Sequence, residues 1–77
     1  MKEVNKKEKE YLKRLGEHIE MLRKKSGLTQ VELAEKIGTM HPQIGRLERG
    51  ETNATIIVLR KISVELGVSV SDLVKIE

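Results

Sequence analysis

Apolar residues recur at intervals of three and four positions along most of the chain, and this spacing predicts helices. In the first third, the apolar stripe consists of Leu12, Leu15, Ile19 and Leu22. It predicts one long helix from near Lys6 to Lys25. In the last third, the core-facing stripe is expected to consist of Ile56, Leu59, Ile62 and Leu66. No stretch alternates with the two-residue period of a strand, so the sequence predicts an all-α fold.

Capping residues mark where the helices begin and end. Three pairs fit the capping box, in which a polar residue is followed three positions later by an acidic one. These pairs are Asn5 with Glu8, Thr29 with Glu32, and Ser69 with Asp72. Thr55 can cap a further helix, while Gly38 and Gly67 suit left-handed helix ends. The sequence therefore predicts a compact five-helix bundle, with residues 1–10 as a charged N-terminal extension and residues 11–77 as the domain.

The most specific pattern is the stretch TQVELAEKIGTMHPQIGRLERG at positions 29–50. Ala34 stands where two short helices must touch, and Gly38 stands where the chain must reverse. Ile44 and Leu47 are three residues apart and face the interior, while Pro42 fits the first turn of the second helix. Two short helices joined by a tight turn that contains glycine form the helix-turn-helix pattern.

Composition narrows the function classes without deciding among them. The net charge is +3, and the basic excess lies in residues 1–27, which hold nine Lys or Arg against five acidic residues. That excess is modest for a protein that binds nucleic acid. The chain has no cysteine, which suits a cytoplasmic protein. No apolar run approaches the roughly 20 residues needed to span a bilayer, so no membrane association is expected.

Catalytic and metal-binding patterns are missing from the sequence. It contains no glycine-rich phosphate loop, no HExxH motif and no plausible Ser-His-Asp set. His18 borders the apolar stripe with no second ligand at metal-binding spacing, so we expect it to be structural. The acidic side chains pair with Lys or Arg four residues away on helix surfaces. We therefore expect no enzyme, no cofactor and no metal site.

The segments LTQVELAEKIG and IGRLERG are similar to the helix-turn-helix motifs of the lambda-repressor and Cro family of bacterial and phage regulators. The resemblance extends from about Leu15 to Leu73, and it includes the segment ELGVSVSDL at positions 65–73. It is closest in kind to short phage Cro-like repressors and to the controller proteins of restriction–modification systems. It implies a cytoplasmic transcriptional regulator that binds double-stranded DNA. In such motifs the second helix enters the major groove and the first crosses the backbone.

Candidate DNA contacts follow from the positions that Ile44 and Leu47 leave facing outward. The candidates for base contact are His41, Pro42, Gly45 and Arg46. Arg46 is the main one, because its planar fork matches guanine O6 and N7; the alternative is a phosphate or an acidic partner. Gln30 begins the helix that crosses the backbone, and the resemblance implies that it binds phosphate. The further candidates for backbone contact, on the recognition helix and in the loop after it, are Gln43, Arg49, Thr52 and Asn53. The alternative role of Thr52 and Asn53 is turn formation.

The resemblance also implies one ion pair, and the sequence departs from the family pattern at Met40, Pro42 and Ala54. The resemblance places Arg23 late in the first helix opposite Glu48 late in the third, as a partly buried pair; the alternative is two exposed charges. Met40 stands where family members usually have a Ser or Thr cap. The cap of the recognition helix is therefore expected to be lost, or to move to Thr39 or His41.

A homodimer is expected because one recognition helix makes too few contacts for useful specificity. The candidates for its interface are Val68, Val70, Val74 and Ile76. The alternative for these residues is ordinary core packing. Because the sequence is short, no domain that senses a small-molecule effector is expected. Two other functions remain open: an antitoxin that neutralises a toxin partner and regulates its own gene, and a bridge between proteins that has lost DNA binding.

Overall fold

The protein is described here by a computed structural model that covers residues 4–76. The chain forms α1 (Lys6–Lys25), α2 (Gln30–Ile37), α3 (His41–Glu48), α4 (Ile56–Leu66) and α5 (Val70–Val74). No strand occurs between residues 4 and 76. The predicted all-α fold with five helices is confirmed, and α1 has the predicted limits.

Local hydrogen bonds set most of the helix boundaries. At the start of α2, the Thr29 hydroxyl accepts from the Glu32 N–H at 3.0 Å, and the Glu32 carboxylate accepts from the Thr29 N–H at 2.9 Å. Asn5 and Glu8 form the same reciprocal pair at the start of α1. Gly38 ends α2 with a φ of 75°, a left-handed conformation that costs glycine little. The predicted boundaries of α2 are therefore confirmed.

The recognition helix α3 begins without a side-chain cap. Met40 occupies the cap position, makes no capping hydrogen bond and is 72% exposed. Of the expected alternatives, the lost cap is the one found. Pro42 lies in the first turn, where its missing N–H would have no helical partner.

The helices pack around one core of aliphatic side chains. α3 packs against both α1 and α2, α4 packs against α2, and α5 contacts both α4 and α1. The buried core consists of Leu15, Ile19, Leu33, Ala34, Ile37, Ile44, Leu47, Leu59, Ile62, Leu66 and Leu73. The prediction that Ile56 belongs to it is wrong, because this side chain is 64% exposed. Val58 packs against the core in the first turn of α4 instead.

Two glycines allow α1 to approach the end of α3 more closely than any side chain would permit. A Cβ on Gly16 would fall on the backbone carbonyl oxygens of Leu47 and Glu48. A Cβ on Gly50 would lie 2.6 Å from the Cα of Lys13. Such separations are far inside van der Waals contact, so the distance between the two helices depends on these glycines. The C-terminal end of α3 is thus held directly against the backbone of α1.

The last helix, α5, packs against the first helix, α1. The hydroxyl of Tyr11 donates to the carbonyl oxygen of Val74 at 2.6 Å, and the ring nitrogen Nε2 of His18 lies 3.3 Å from the carbonyl oxygen of Asp72. His18 therefore contributes to the α1–α5 contact, a structural role. Among the helices within residues 4–76, none is long and apolar enough to cross a bilayer.

Candidate nucleic-acid interface

The helix α3 has one buried and one exposed side. Ile44, Leu47 and Glu48 are buried against the other helices. The exposed positions of the helix and its C-cap are His41, Pro42, Gln43, Arg46 and Arg49. Because the inner side is fully engaged, only the outer side is available to a partner. That outer surface carries two guanidinium groups and an imidazole.

A buried network holds α3 in place. The Nε and Nη2 atoms of Arg23 donate to the two carboxylate oxygens of Glu48 at 2.6 and 3.0 Å. Arg23 is 6% exposed and Glu48 is 5% exposed. The hydrogen bond to Glu48 raises the pKa of Arg23 above its usual value. The third donor, Arg23 Nη1, reaches the carbonyl oxygen of Leu28 at 2.7 Å, which joins the α1–α2 loop to the pair. The ion pair implied by the resemblance is therefore present and buried.

Gln30 belongs to the same network, which the sequence did not indicate. Its Nε2 atom donates to the carboxylate of Glu48 at 2.9 Å. Since a carboxylate only accepts, this bond fixes which end of the amide is nitrogen. The amide oxygen lies on the side of Gly45, 3.6 Å from where a Cβ of that residue would be. One of the two amide hydrogens is thus used within the protein.

Gly45 was predicted to face outward with the other candidate positions, and this prediction is wrong. Gly45 is buried, and the Nη1 atom of Arg49 lies 3.1 Å from the position that a Cβ would occupy. The guanidinium of Arg49 and the amide of Gln30 therefore border the surface above this glycine. The sequence could not show this, because an arginine side chain can extend in many directions from its backbone.

Arg49 is held by an acidic neighbour. Its Nε and Nη2 atoms donate to the two carboxylate oxygens of Glu51 at 2.9 and 3.1 Å. This hydrogen bonding lowers the pKa of the Glu51 carboxyl below its usual value, and the nearby charges of Arg49 and Arg46 act in the same direction. It also raises the pKa of Arg49. Helical spacing rules do not pair positions two apart, so this contact was missed.

Arg46 differs from Arg49 in having no direct partner. Within residues 4–76, no ion pair or hydrogen bond holds its exposed guanidinium.

A shallow groove beside α3 is lined by the remaining polar candidates. They are Gln43, Thr52 and Asn53. Thr52 is half-buried and Asn53 is exposed.

The four candidates for a dimer interface are less exposed than expected. All of them are half-buried, and three pack against the core of the same chain. These three are Val68, Val74 and Ile76. The short helix α5 lies on α1 and α4, which cover one side of it. The most exposed large apolar side chains lie elsewhere, and α4 contributes three of them, Ile56, Ile57 and Val64.

Metal ligands are not clustered in the part of the chain that the structure describes, since no group of three His, Cys, Asp or Glu side chains could hold an ion there. The feature of the described residues that could bind a partner is α3, which is held by the Arg23–Glu48 pair and has a polar and basic outer surface.

The model of the helix-turn-helix family HTH_3 matches residues 19–73. The chain belongs to the HTH_3 family. This match contains all of α2, α3 and α4. It confirms the helix-turn-helix resemblance and makes the protein a DNA-binding transcriptional regulator of this type, not an enzyme.

Relatives of known name support the HTH_3 assignment. The uncharacterized HTH-type transcriptional regulator y4dJ of Sinorhizobium fredii is 39% identical over 62 residues, which are 80% of each chain. SinR of Bacillus subtilis is 40% identical over 60 residues, and these span 77% of this chain but only 54% of SinR.

Solved structures agree with the sequence relatives. A crystal structure of SinR in complex with DNA matches with a TM-score of 0.72 and 40% identity, over 77% of this chain and 95% of that one. The restriction–modification controller protein C.AhdI of Aeromonas hydrophila matches with a TM-score of 0.78 and 29% identity, over 80% of this chain and 94% of that one. Both regulators have the fold of the chain described above.

Proposed function

We propose that this HTH_3 protein is a sequence-specific regulator that binds double-stranded DNA as a homodimer, with α3 in the major groove. The observation that carries the proposal is the division of α3 into a buried inner side and an exposed outer side. A helix fixed in this way can enter the groove as a rigid unit.

Arg46 is proposed as the main specificity residue. Its guanidinium is exposed and has no hydrogen-bonded or ion-pair partner among residues 4–76, so it can donate both hydrogen bonds to guanine O6 and N7. His41 and Pro42 are exposed at the N-terminal end of α3, the end that contacts base edges in helix-turn-helix proteins. Gly45 makes no side-chain contact with DNA in this proposal, and its lack of a Cβ leaves space beneath the guanidinium of Arg49.

The remaining polar residues are proposed to hold the phosphate backbone. Gln30 lies at the first position of α2, where exposed N–H groups and the helix dipole favour an anion. Its orientation is set by Glu48, so the same network that fixes α3 also fixes a phosphate donor. The other proposed backbone contacts are Gln43, Arg49, Thr52 and Asn53. Such contacts set the register on DNA and carry no sequence information directly.

A homodimer is proposed because a recognition helix of eight residues reads too few base pairs alone. Two copies related by a two-fold axis would read two half-sites about one helical turn apart. SinR, whose crystal structure contains DNA, supports the choice of DNA as the partner. The half-buried position of Val68, Val74 and Ile76 leaves their part in the interface open to the experiment below.

The test is selection from a pool of randomised duplexes with wild type, Arg46→Ala and Arg60→Ala. Arg60 is an exposed arginine on α4, so its substitution removes the same charge away from α3. Wild type and Arg60→Ala should enrich one site with two-fold symmetry. Arg46→Ala should lose its preference at one base pair in each half-site, a loss of about 1–3 kcal/mol in discrimination.

Other outcomes would redirect the proposal. Enrichment of a single half-site would remove the homodimer and keep the base contact. If Arg46→Ala selects the same site as wild type, another residue reads the DNA. If wild type enriches nothing, the protein does not bind DNA specifically, and a protein partner such as a toxin becomes the hypothesis to test.

A further inference from the structure

Arg49 and Glu51 form an ion pair on the surface proposed to meet DNA. Their side chains are 60% and 54% exposed, so solvent and ligands reach both. The turn at Gly50, with a φ of 74°, brings the two residues to the same side of the chain. Because Gly50 lies against the backbone of Lys13, this turn is fixed by α1. The pair is therefore presented in a defined place, although its members are exposed.

The carboxylate occupies the edge of Arg49 that would suit a phosphate. Carboxylates and phosphates both accept two parallel hydrogen bonds from a guanidinium fork. In Arg49 the Nε and Nη2 atoms already donate to Glu51, and Nη1 is directed to the surface of Gly45. A phosphate can take the Nε–Nη2 edge only after Glu51 has left it. Among residues 4–76, Arg46 has no hydrogen-bonded carboxylate, although its charge also acts on Glu51.

We propose that Glu51 is an intramolecular competitor for DNA, which holds the phosphate-binding fork of Arg49 until a phosphate replaces it. The inference rests on the proposed function, because it requires the outer side of α3 to meet DNA. Phosphates are present in every sequence, so Glu51 lowers the affinity for specific and random duplexes alike. Base contacts such as that of Arg46 then decide where the protein stays. Glu51 thus sets the strength of binding, while Arg46 sets its sequence preference.

The competition has a signature in the salt dependence of binding. Each phosphate that a cation of the protein neutralises releases counterions from DNA, which gives a slope of about −0.9 per contact in a plot of log affinity against log salt. While Arg49 stays paired with Glu51, wild type lacks the phosphate contact of Arg49. Wild type therefore releases fewer counterions on average than a protein in which Arg49 always contacts a phosphate. Without the carboxylate, the slope should become steeper by up to about 0.9.

The experiment measures the affinity for a random-sequence duplex, by fluorescence anisotropy over a series of salt concentrations. The variants are Glu51→Gln, Arg49→Gln, the double variant and Glu65→Gln. Glu65 is an exposed acid on α4 with no ion pair among residues 4–76, so it is the control for net charge. Glu51→Gln should bind about two- to fivefold tighter than wild type, as expected for loss of an exposed ion pair, and with a steeper slope.

The double variant separates competition from simple repulsion. If Glu51 acts through Arg49, then Glu51→Gln in the Arg49→Gln background should gain no more than Glu65→Gln does. The inference is overturned if the gain is the same in both backgrounds, or if Glu65→Gln gains as much as Glu51→Gln. Weaker binding by Glu51→Gln would also overturn it, since the carboxylate would then position Arg49 for DNA.

The two proposals fail in different ways. If wild type and all variants bind no duplex at low salt, the proposed function is wrong and this inference is wrong with it. If wild type binds and Glu51→Gln is unchanged in both affinity and slope, only the competition is excluded.

Discussion

The two sides of α3 are held by different kinds of interaction. On the inner side, the backbone at Leu47 and Glu48 meets Gly16 directly, and a buried ion pair joins Glu48 to Arg23. On the outer side, the helix begins without a side-chain cap, and the ion pair of Arg49 is exposed. The buried contacts on the inner side fix the position of α3, whereas the exposed side chains on the outer side can exchange partners. The orientation of the helix is thus independent of the residues that would read DNA.

This difference separates stability from binding. Substitutions on the inner side should lower the free energy of unfolding, and they should affect DNA binding only through the position of α3. Substitutions on the outer side should change stability by no more than about 1 kcal/mol, and those of the proposed DNA contacts should change binding. Three experiments test how far this separation holds, beginning with the largest expected effect.

The largest effect is expected when the buried ion pair loses one member. Arg23→Ala leaves the carboxylate of Glu48 buried, and Gln30 is then its only remaining side-chain donor among residues 4–76. The free energy of unfolding, measured by urea denaturation, should fall by about 3–5 kcal/mol. Glu20→Ala is the control. Glu20 is 39% exposed, and its carboxylate lies 4.0 Å from the guanidinium of Arg23, a longer and weaker contact than that of Glu48. A loss below about 1 kcal/mol for Arg23→Ala would mean that the pair behaves like a surface pair.

A matched pair of glycine substitutions sharpens the comparison. Gly16→Ala places a methyl group on the backbone of α3, which cannot move aside, and should destabilise the protein by about 1–3 kcal/mol. Gly45→Ala meets the exposed guanidinium of Arg49, 3.1 Å away, which can move aside, and the amide oxygen of Gln30 at 3.6 Å, an ordinary van der Waals contact. It should therefore keep the usual advantage of alanine in a helix, up to about 1 kcal/mol. Thermal denaturation of both variants checks the prediction, and equal losses from both would contradict it.

The smallest effect is expected at the uncapped start of α3. Met40→Ser introduces a hydroxyl at the cap position, where it can accept a hydrogen bond from the N–H of Gln43 as Thr29 does from Glu32. The free energy of unfolding should rise by about 1 kcal/mol. Met40→Ala is the control for loss of the exposed thioether. An unchanged or lower stability for Met40→Ser relative to Met40→Ala would show that Pro42 prevents the cap from forming.

Sequence patterns were most informative where a structure depends on residues a few positions apart. The reciprocal bonds at Asn5 and Thr29 involve residues three positions away, so the starts of α1 and α2 could be predicted. The left-handed turn at Gly38 is equally local. The exposure of Ile56 was missed because a helical stripe shows which positions share a face, but it does not show where the neighbouring helices stop covering that face.

Contacts between distant segments were harder to predict. Arg23 and Glu48 were paired only through the resemblance to a known family. The bond from Gln30 to Glu48 and the approach of α1 to α3 at Gly16 were missed. A signal for the latter was present, because a glycine inside a strong helical pattern costs about 1 kcal/mol relative to alanine and often marks close packing. It could not show which helix would lie against it.

Tyr11 gives the chain a built-in optical probe. It is the only residue among Phe, Trp and Tyr in the sequence, and its hydroxyl is bound to the carbonyl oxygen of Val74 in the last helix. Near-ultraviolet absorbance and fluorescence therefore arise from a single place, the junction of α1 and α5. Far-ultraviolet circular dichroism reports all five helices at once. Recorded together during unfolding, the two signals compare release of the C-terminal helix with loss of the whole fold, without any added label.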